Sequence, residues 1–509
     1  MSEPFAYDVV EYPSSGMPQM HPGLLFAIAR MFGCDPAPVD HCRYLEFGCG
    51  DGTHLIACAM GLPEATFVGA DLSAVAVERG NRLIAELGLP NVTLHAADIT
   101  AWTPPAGEFD YACAYGLYSW VPPVVREALL AGMHTALAPN GIGFVSYNTY
   151  PGSYLRRMVW DMMNRHTARV TDPQRKFREA TDLLKFVLAG LPTTGRTPTV
   201  AAFAHEADFL LTERHPGVVY HDDLSPVNHP VYFHEFVAHA DRHGLRFVAE
   251  AEHTSMETKP FPPVVAGVLE GMAAQDVTLR EQYLDYLRLR RFRNTLLAKD
   301  GRPPQARPDP ARITALAVSG RLTVEGDTTD LTSSATVTFR CDGAVMETDQ
   351  PLDKAALLTL AECGPKRVPF ADLATAAVNR LGRTEPTADD LAKLATLLTE
   401  AWMAGVVELS GHRPVYTDRV SERPTACPFA RAYQVAGGMV NTRLFSFMKF
   451  ADPPTLRLLQ LLDGTHTHDE IAAGMLDAYP PADRPDPNVL RANLADRLQQ
   501  MARNGLLVG

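Results

Sequence analysis

Leu45-Glu46-Phe47-Gly48-Cys49-Gly50-Asp51-Gly52-Thr53 joins an apolar run to an amphipathic stretch through glycines at alternate positions. The run over residues 43–47 reads as a buried strand, and a helix is predicted from about Thr53. Glycines in such a turn let the backbone reverse sharply and leave room for a ligand against the loop. Outward from the loop the same alternation continues. Residues 66–71 are a second strand, and Ser73 is placed to cap a helix over 74–87 that stops at Gly88. Residues 92–96 and 109–115 are a third and a fourth strand, and a helix over 125–137 leads to a fifth at 142–147. Strands alternating with helices of this length require crossover connections, hence an α/β fold with a parallel sheet.

The loop spacing is GxGxG, with Glu46 two residues ahead of Gly48. A nicotinamide-binding loop is instead GxGxxG, where a helix N-terminus faces a pyrophosphate. S-adenosylmethionine has no phosphate but carries a cationic amino group and a sulfonium, so an acid beside the loop suits it better. A dinucleotide and a ligand-free structural turn are the alternatives. Asp71 ends the second strand, where a carboxylate can accept both ribose hydroxyls; its plainer role is to cap a helix beside Ser73. Asp98 follows the third strand, where it can accept from an adenine amino group while Ile99 packs on the ring, or stand as a solvated loop acid. Tyr115 and Tyr118, after the fourth strand, are placed to wall the methionine end, although core packing accounts for Tyr118 and Trp120 equally well. The expected cofactor-binding set is therefore Glu46, Gly48, Cys49, Gly50, Gly52, Asp71, Leu72, Asp98, Ile99, Tyr115 and Tyr118.

In order and spacing, Glu46 to Gly52, Asp71 and Asp98-Ile99 resemble the nucleotide-binding motifs of class I S-adenosylmethionine-dependent methyltransferases. Three further segments narrow the resemblance: Tyr7 to Pro13 with His21-Pro22, Tyr147 to Gly152, and His221 to Glu235. Together they are similar to methyltransferases that carry the methyltransferase regulatory domain, a group including the rickettsial-type protein lysine methyltransferases. That resemblance implies a Rossmann-like seven-stranded domain joined to winged-helix-like domains, and a protein lysine amine as acceptor. Tyr147, Asn148 and Tyr150 follow the fifth strand and are the expected catalytic residues. Asn148 can accept from the amine, and the tyrosines can line a channel by cation–π contact; an ordinary turn with packing tyrosines is the alternative. Tyr7 and Tyr12 are expected at the substrate side, as a lid or as a docked arm. The product would be S-adenosylhomocysteine. A small-molecule acceptor and a non-catalytic S-adenosylmethionine sensor are the competing functions.

The remainder of the chain is organised around this domain. Residues 154–215 are predicted as a helical insertion. Over 215–299, a helix closed by Gly244, the apolar run 245–249 and a last strand at 292–298 would complete the sheet, so the methyltransferase domain spans 1–299. Prolines make 300–312 a linker. Two α+β winged-helix-like domains follow, 313–415 and 425–509, each reading as three helices, a glycine and a short apolar strand. The net charge of −13 and the mixed charges on their last helices argue against nucleic acid as the partner; protein recognition or a homodimer contact suits them better. No apolar run approaches bilayer length, so no membrane partner is expected. The eight cysteines have no paired spacing, which fits a reducing, cytoplasmic location. His234 and His239 are five apart, wrong for a zinc-protease motif. His239 and His243 have i, i+4 spacing with Asp222 and Asp223 near in sequence, but a metal is not expected.

Overall fold

The apolar runs become seven strands: β1 (Arg43–Phe47), β2 (Thr66–Asp71), β3 (Val92–Ala96), β4 (Phe109–Ala114), β5 (Leu137–Asn148), β6 (Arg246–Glu250) and β7 (Phe292–Ala298). In the computed structural model, which describes residues 6–10, 12–299, 305–433 and 438–508, they form one sheet of order β3-β2-β1-β4-β5-β7-β6. All neighbours pair in parallel except β7, which runs antiparallel between β5 and β6. This is the Rossmann-like methyltransferase sheet. Strand order reverses between β1 and β4, so the carboxyl ends of those two strands diverge there and leave a crevice, the usual ligand position in open α/β sheets.

Local signals act as the sequence predicts. The Ser73 hydroxyl accepts from the Ala76 N–H at 3.0 Å and starts the helix Ala74–Leu87, and Gly88 ends it with φ of 63°. Tyr44, Leu45 and Phe47 of β1 are fully buried between the helix layers. The segment after β5 folds as three helices, Ser153–His166, Pro173–Gly190 and Pro198–Thr212, around a small core of its own that includes Val159, Trp160, Met163, Leu184 and Leu210.

Beyond β7 lie two further α+β units. The first carries helices Pro351–Cys363, Phe370–Arg380 and Ala388–Met403, then Gly405 at φ of 79° and the strand Glu408–Ser410. The second carries helices Pro453–Leu461, His468–Asp477 and Pro487–Arg503, then Gly505 at φ of 70° and the strand Leu507–Val508. They are packed onto the sheet domain rather than strung beside it: the Trp402 ring stacks on His253 at 4.0 Å and lies edge-on to Phe32. Of the expected 300–312 linker, residues 300–304 lie outside the described residues. No described helix is long and apolar enough to cross a membrane.

Candidate active site

The loop after β1 is pinned before it meets any ligand. The N–H groups of Gly48 and Cys49 both donate to the Ala70 carbonyl of β2, at 2.8 and 3.3 Å, and the Gly50 N–H donates to Asp71 Oδ2 at 2.8 Å. Gly48, Gly50 and Gly52 take φ of 71°, 57° and 70°, the left-handed region that side chains avoid. Gly80 explains how the next helix comes so close: a Cβ there would lie 2.1 Å from the Asp51 carbonyl.

Above this loop is a hollow open to solvent. Glu46, Gly48, Cys49, Gly50, Asp71 and Tyr115 line it, and so does Tyr12 from the N-terminal arm, together with Asp51 and Ser14. The arm is held down at several points. The Met17 N–H donates to His54 Nδ1 at 3.1 Å, and Gly16 exchanges two hydrogen bonds with the Asn441 side chain, at 3.0 and 3.2 Å. The Tyr433 hydroxyl donates to the Ser14 carbonyl at 3.3 Å.

The hollow is acidic. Glu46 is 5% exposed and its Oε2 is buried without a hydrogen-bond partner. Burial, and then the neighbouring Asp71 and Asp51, raise the Glu46 carboxyl well above the usual carboxylate range. Burial also raises Asp71, against the pull of its bonds from Ser73 and Gly50. Such a set of acids asks for a cation and for hydroxyl donors, which the amino group, sulfonium and ribose of S-adenosylmethionine supply. The cofactor fits the residues present.

Other expected residues stand elsewhere. Gly52 caps the helix Thr53–Gly61. Leu72 is 56% exposed just past Asp71. Asp98 is exposed on the loop after β3, its Oδ1 accepting from the Thr100 N–H and hydroxyl at 2.9 and 2.8 Å, and Ile99 is half-buried. Tyr118 is buried behind the crevice and hydrogen-bonds His239 Nδ1 at 2.8 Å. The side chain of Tyr7 lies outside the described residues.

A second cavity adjoins the first, and Tyr12, Tyr115, Gly116 and Asp222 line both. Trp120, Asn148, Phe209, Arg214 and Phe292 complete much of its wall, and the Trp120 indole N–H is buried without a hydrogen-bond partner. Asn148 donates from Nδ2 to Asn228 Oδ1 at 3.0 Å, and Asn228 in turn donates to the Asp222 carbonyl. Of the expected catalytic residues, Asn148 alone lines this cavity. Tyr147 points through the opposite face of β5, because side chains alternate along a strand; it stacks on Phe236 and bonds Thr295 Oγ1 at 3.0 Å. Tyr150 stacks on Tyr154 outside the cavity, its hydroxyl accepting from Arg157 at 2.9 Å.

Asp222, noted in the sequence only as a neighbour of the histidine pair, lines both cavities. It sits in a wide, π-helical turn, Val219–Asp223, with Arg214 donating to Asp222 Oδ2 at 3.0 Å and to Asp223 Oδ2 at 2.9 Å. Burial pushes its carboxyl up to about 7, although Arg214 opposes the shift. The signal in sequence was the acid pair itself, in a segment already matched to the narrower group.

A crevice of this build at the strand-order reversal of this sheet defines a class I methyltransferase, and comparison with known proteins agrees. Residues 45–141 match the family described as "Methyltransferase domain", and 215–299 the family described as "Predicted methyltransferase regulatory domain". A protein of Rickettsia prowazekii, RP028, is 33% identical over 237 residues, covering 47% of this chain and 94% of RP028. A second from that organism, RP789, is 36% identical over 291 residues; these are 57% of this chain but only 52% of RP789, so the match spans about half of that relative. The structure of PKMT2 from Rickettsia typhi, known also in complex with AdoHcy, superposes with a TM-score of 0.84 at 26% identity, covering 98% of this chain and all of PKMT2. The chain belongs to the class I S-adenosylmethionine-dependent methyltransferases that carry the methyltransferase regulatory domain.

Proposed function

We propose that this enzyme methylates lysine side chains of protein, with the second cavity as the acceptor channel. The observation that carries this is the shared wall of Tyr12, Tyr115, Gly116 and Asp222, which joins an aromatic-lined cavity to the acidic hollow at one point. S-adenosylmethionine supplies the electrophilic methyl group. In this reading Asp71 holds the ribose, Glu46 faces the amino-acid portion across the glycine loop, and Leu72 with Asp98 and Ile99, one strand further out, flank the adenine. Tyr115 separates the cofactor from the acceptor.

The protein's task is to present a neutral amine in line with the carbon–sulfur bond. A lysine enters as an ammonium and is drawn between the rings of Tyr12, Tyr115 and Trp120 by cation–π attraction. Asp222, ionised in about half of molecules near pH 7, takes the proton, while Asn148 Oδ1 accepts from the remaining N–H and aims the lone pair. Nitrogen would then bond to the methyl carbon as the carbon–sulfur bond breaks, S-adenosylhomocysteine and the methylammonium product would leave, and Asp222 would pass the proton it took to solvent. Arg156, Arg214 and Arg291 also border the channel, but each is paired with Glu206, Asp222 or Asp223, so they do not make it a carboxylate or phosphate site. The similarity to PKMT2 and the narrower resemblance both favour a protein substrate.

We further propose the division into 1–299, 313–415 and 425–509, the last two with winged-helix-like folds that recognise the substrate protein. Incubation with methyl-labelled cofactor and a cell lysate, followed by acid precipitation and amino-acid analysis, tests the substrate class. Methyl-lysine in the precipitate is the expected result; label confined to the soluble fraction would assign a small-molecule acceptor instead.

A further inference from the structure

Behind the acceptor wall, three side chains from two helices converge on one point. Glu127 comes from the helix Pro123–Ala136, His239 from the helix Phe233–Arg242, and His243 caps that second helix one turn on. Glu127 Oε1 lies 3.1 Å from His239 Nε2, and Oε2 lies 2.8 Å from His243 Nε2. One ligand-type atom from each residue lies within 4.8 Å of the others. His239 is 8% exposed, and its Nε2 is buried without a hydrogen bond: the carboxylate is near but off the N–H direction. The other ring nitrogen is held at 2.8 Å by the Tyr118 hydroxyl, over which Arg126 is stacked. An imidazole oriented from behind, with its free nitrogen aimed at a second imidazole and a carboxylate, is the arrangement of a metal ligand and its supporting partner.

We propose that Glu127, His239 and His243 form a binding site for a divalent first-row transition-metal ion of the zinc type, with its remaining positions open to solvent. One ligand atom from each of the three residues lies within 4.8 Å of the others, and a change of rotamer in the exposed Glu127 would draw them toward the roughly 3.3 Å spacing around a tetrahedral ion with bonds of about 2.0–2.1 Å. Two imidazoles and one carboxylate suit zinc and its neighbours over magnesium or calcium, which prefer all-oxygen shells. Sequence spacing paired the histidines with Asp222 and Asp223, but those acids are committed to Arg214 and Arg156, and the third ligand comes from another helix.

The ion would clamp the two helices together directly behind Tyr118. That residue opens the turn Tyr118–Trp120, whose Ser119 hydroxyl accepts from the Asn148 N–H at 2.8 Å and whose Trp120 lines the acceptor cavity. The site is therefore positioned to stiffen the acceptor wall and takes no part in methyl transfer.

Titrating the chelator-stripped, tag-free full chain with Zn²⁺ by calorimetry tests it. Saturable binding of one equivalent is expected, lost in Glu127→Ala and in His243→Ala and weakened about tenfold in Tyr118→Phe. Both ligand variants alter residues at the surface side of the helices, and circular dichroism verifies that they fold. Co²⁺ added to the stripped protein should give visible absorption bands that the His243→Ala variant lacks. Absence of saturable Zn²⁺ binding, or binding that both single variants leave unchanged, would overturn the proposal.

Discussion

Asp71 lines the hollow over the glycine loop and Asp222 the wall that hollow shares with the second cavity, and their surroundings predict different behaviour. The Asp71 carboxylate already accepts from Gly50 and Ser73, so Asp71→Ala removes the ribose acceptors and slackens the loop together. Two lost hydrogen bonds to a charged group, at about 1.5–3 kcal/mol each, amount to at least a 100-fold loss of cofactor affinity by calorimetry; an unchanged affinity would remove Asp71 from the site. Asp222 is held near 7 mainly by burial. Below that pH it is protonated and cannot accept from the ammonium, so kcat/KM should fall as pH drops through about 7. Asp222→Asn should lower kcat by about 10²–10⁴-fold and abolish that limb of the profile. At this scale the glycine loop, Glu46 and Asp71 were legible because their partners lie within one strand–turn–strand unit. The direction of Tyr147 was not. A one-residue change of phase along β5 decides which face it meets, and the helix that buries it, Phe233–Arg242, begins 86 residues after Tyr147.

Among the elements, β7 carries the most concentrated electrostatics. Arg293 is 1% exposed and pairs with Glu250 of β6 and with Asp285 and Glu281 of the helix Val277–Arg288, with the Phe233 ring 3.8 Å away. These acids hold the guanidinium charged, and burial pushes Asp285 up to about 6. Arg293→Met would leave acids buried without their cation and should destabilise the protein by about 3–5 kcal/mol, measured by denaturant unfolding. Full stability in that variant would show that the network is dispensable. The strands β6 and β7 were legible from apolar runs and from Gly244. The ion network that fastens them was not, since opposite charges 8 and 43 residues from Arg293 have no spacing that singles them out. Likewise, the histidine pair could be seen on its helix, but Glu127 could not be matched to it before the two helices were placed side by side.

For the whole molecule, the arm over the glycine loop ties the cofactor hollow to the last α+β unit. Gly16 and Asn441 are 425 residues apart in sequence, yet they exchange two hydrogen bonds directly beside the hollow. Asn441→Ala should therefore speed cofactor dissociation in stopped-flow measurements several-fold while leaving the strand residues around Asp71 intact. An unaltered off-rate would show that the arm opens without the tail. The consequence is a reciprocal one: a tail unit that steadies the arm would raise the nucleoside's affinity, and a bound nucleoside would then stabilise the tail's docking by the same free energy, which protection of the tail from proteases would register.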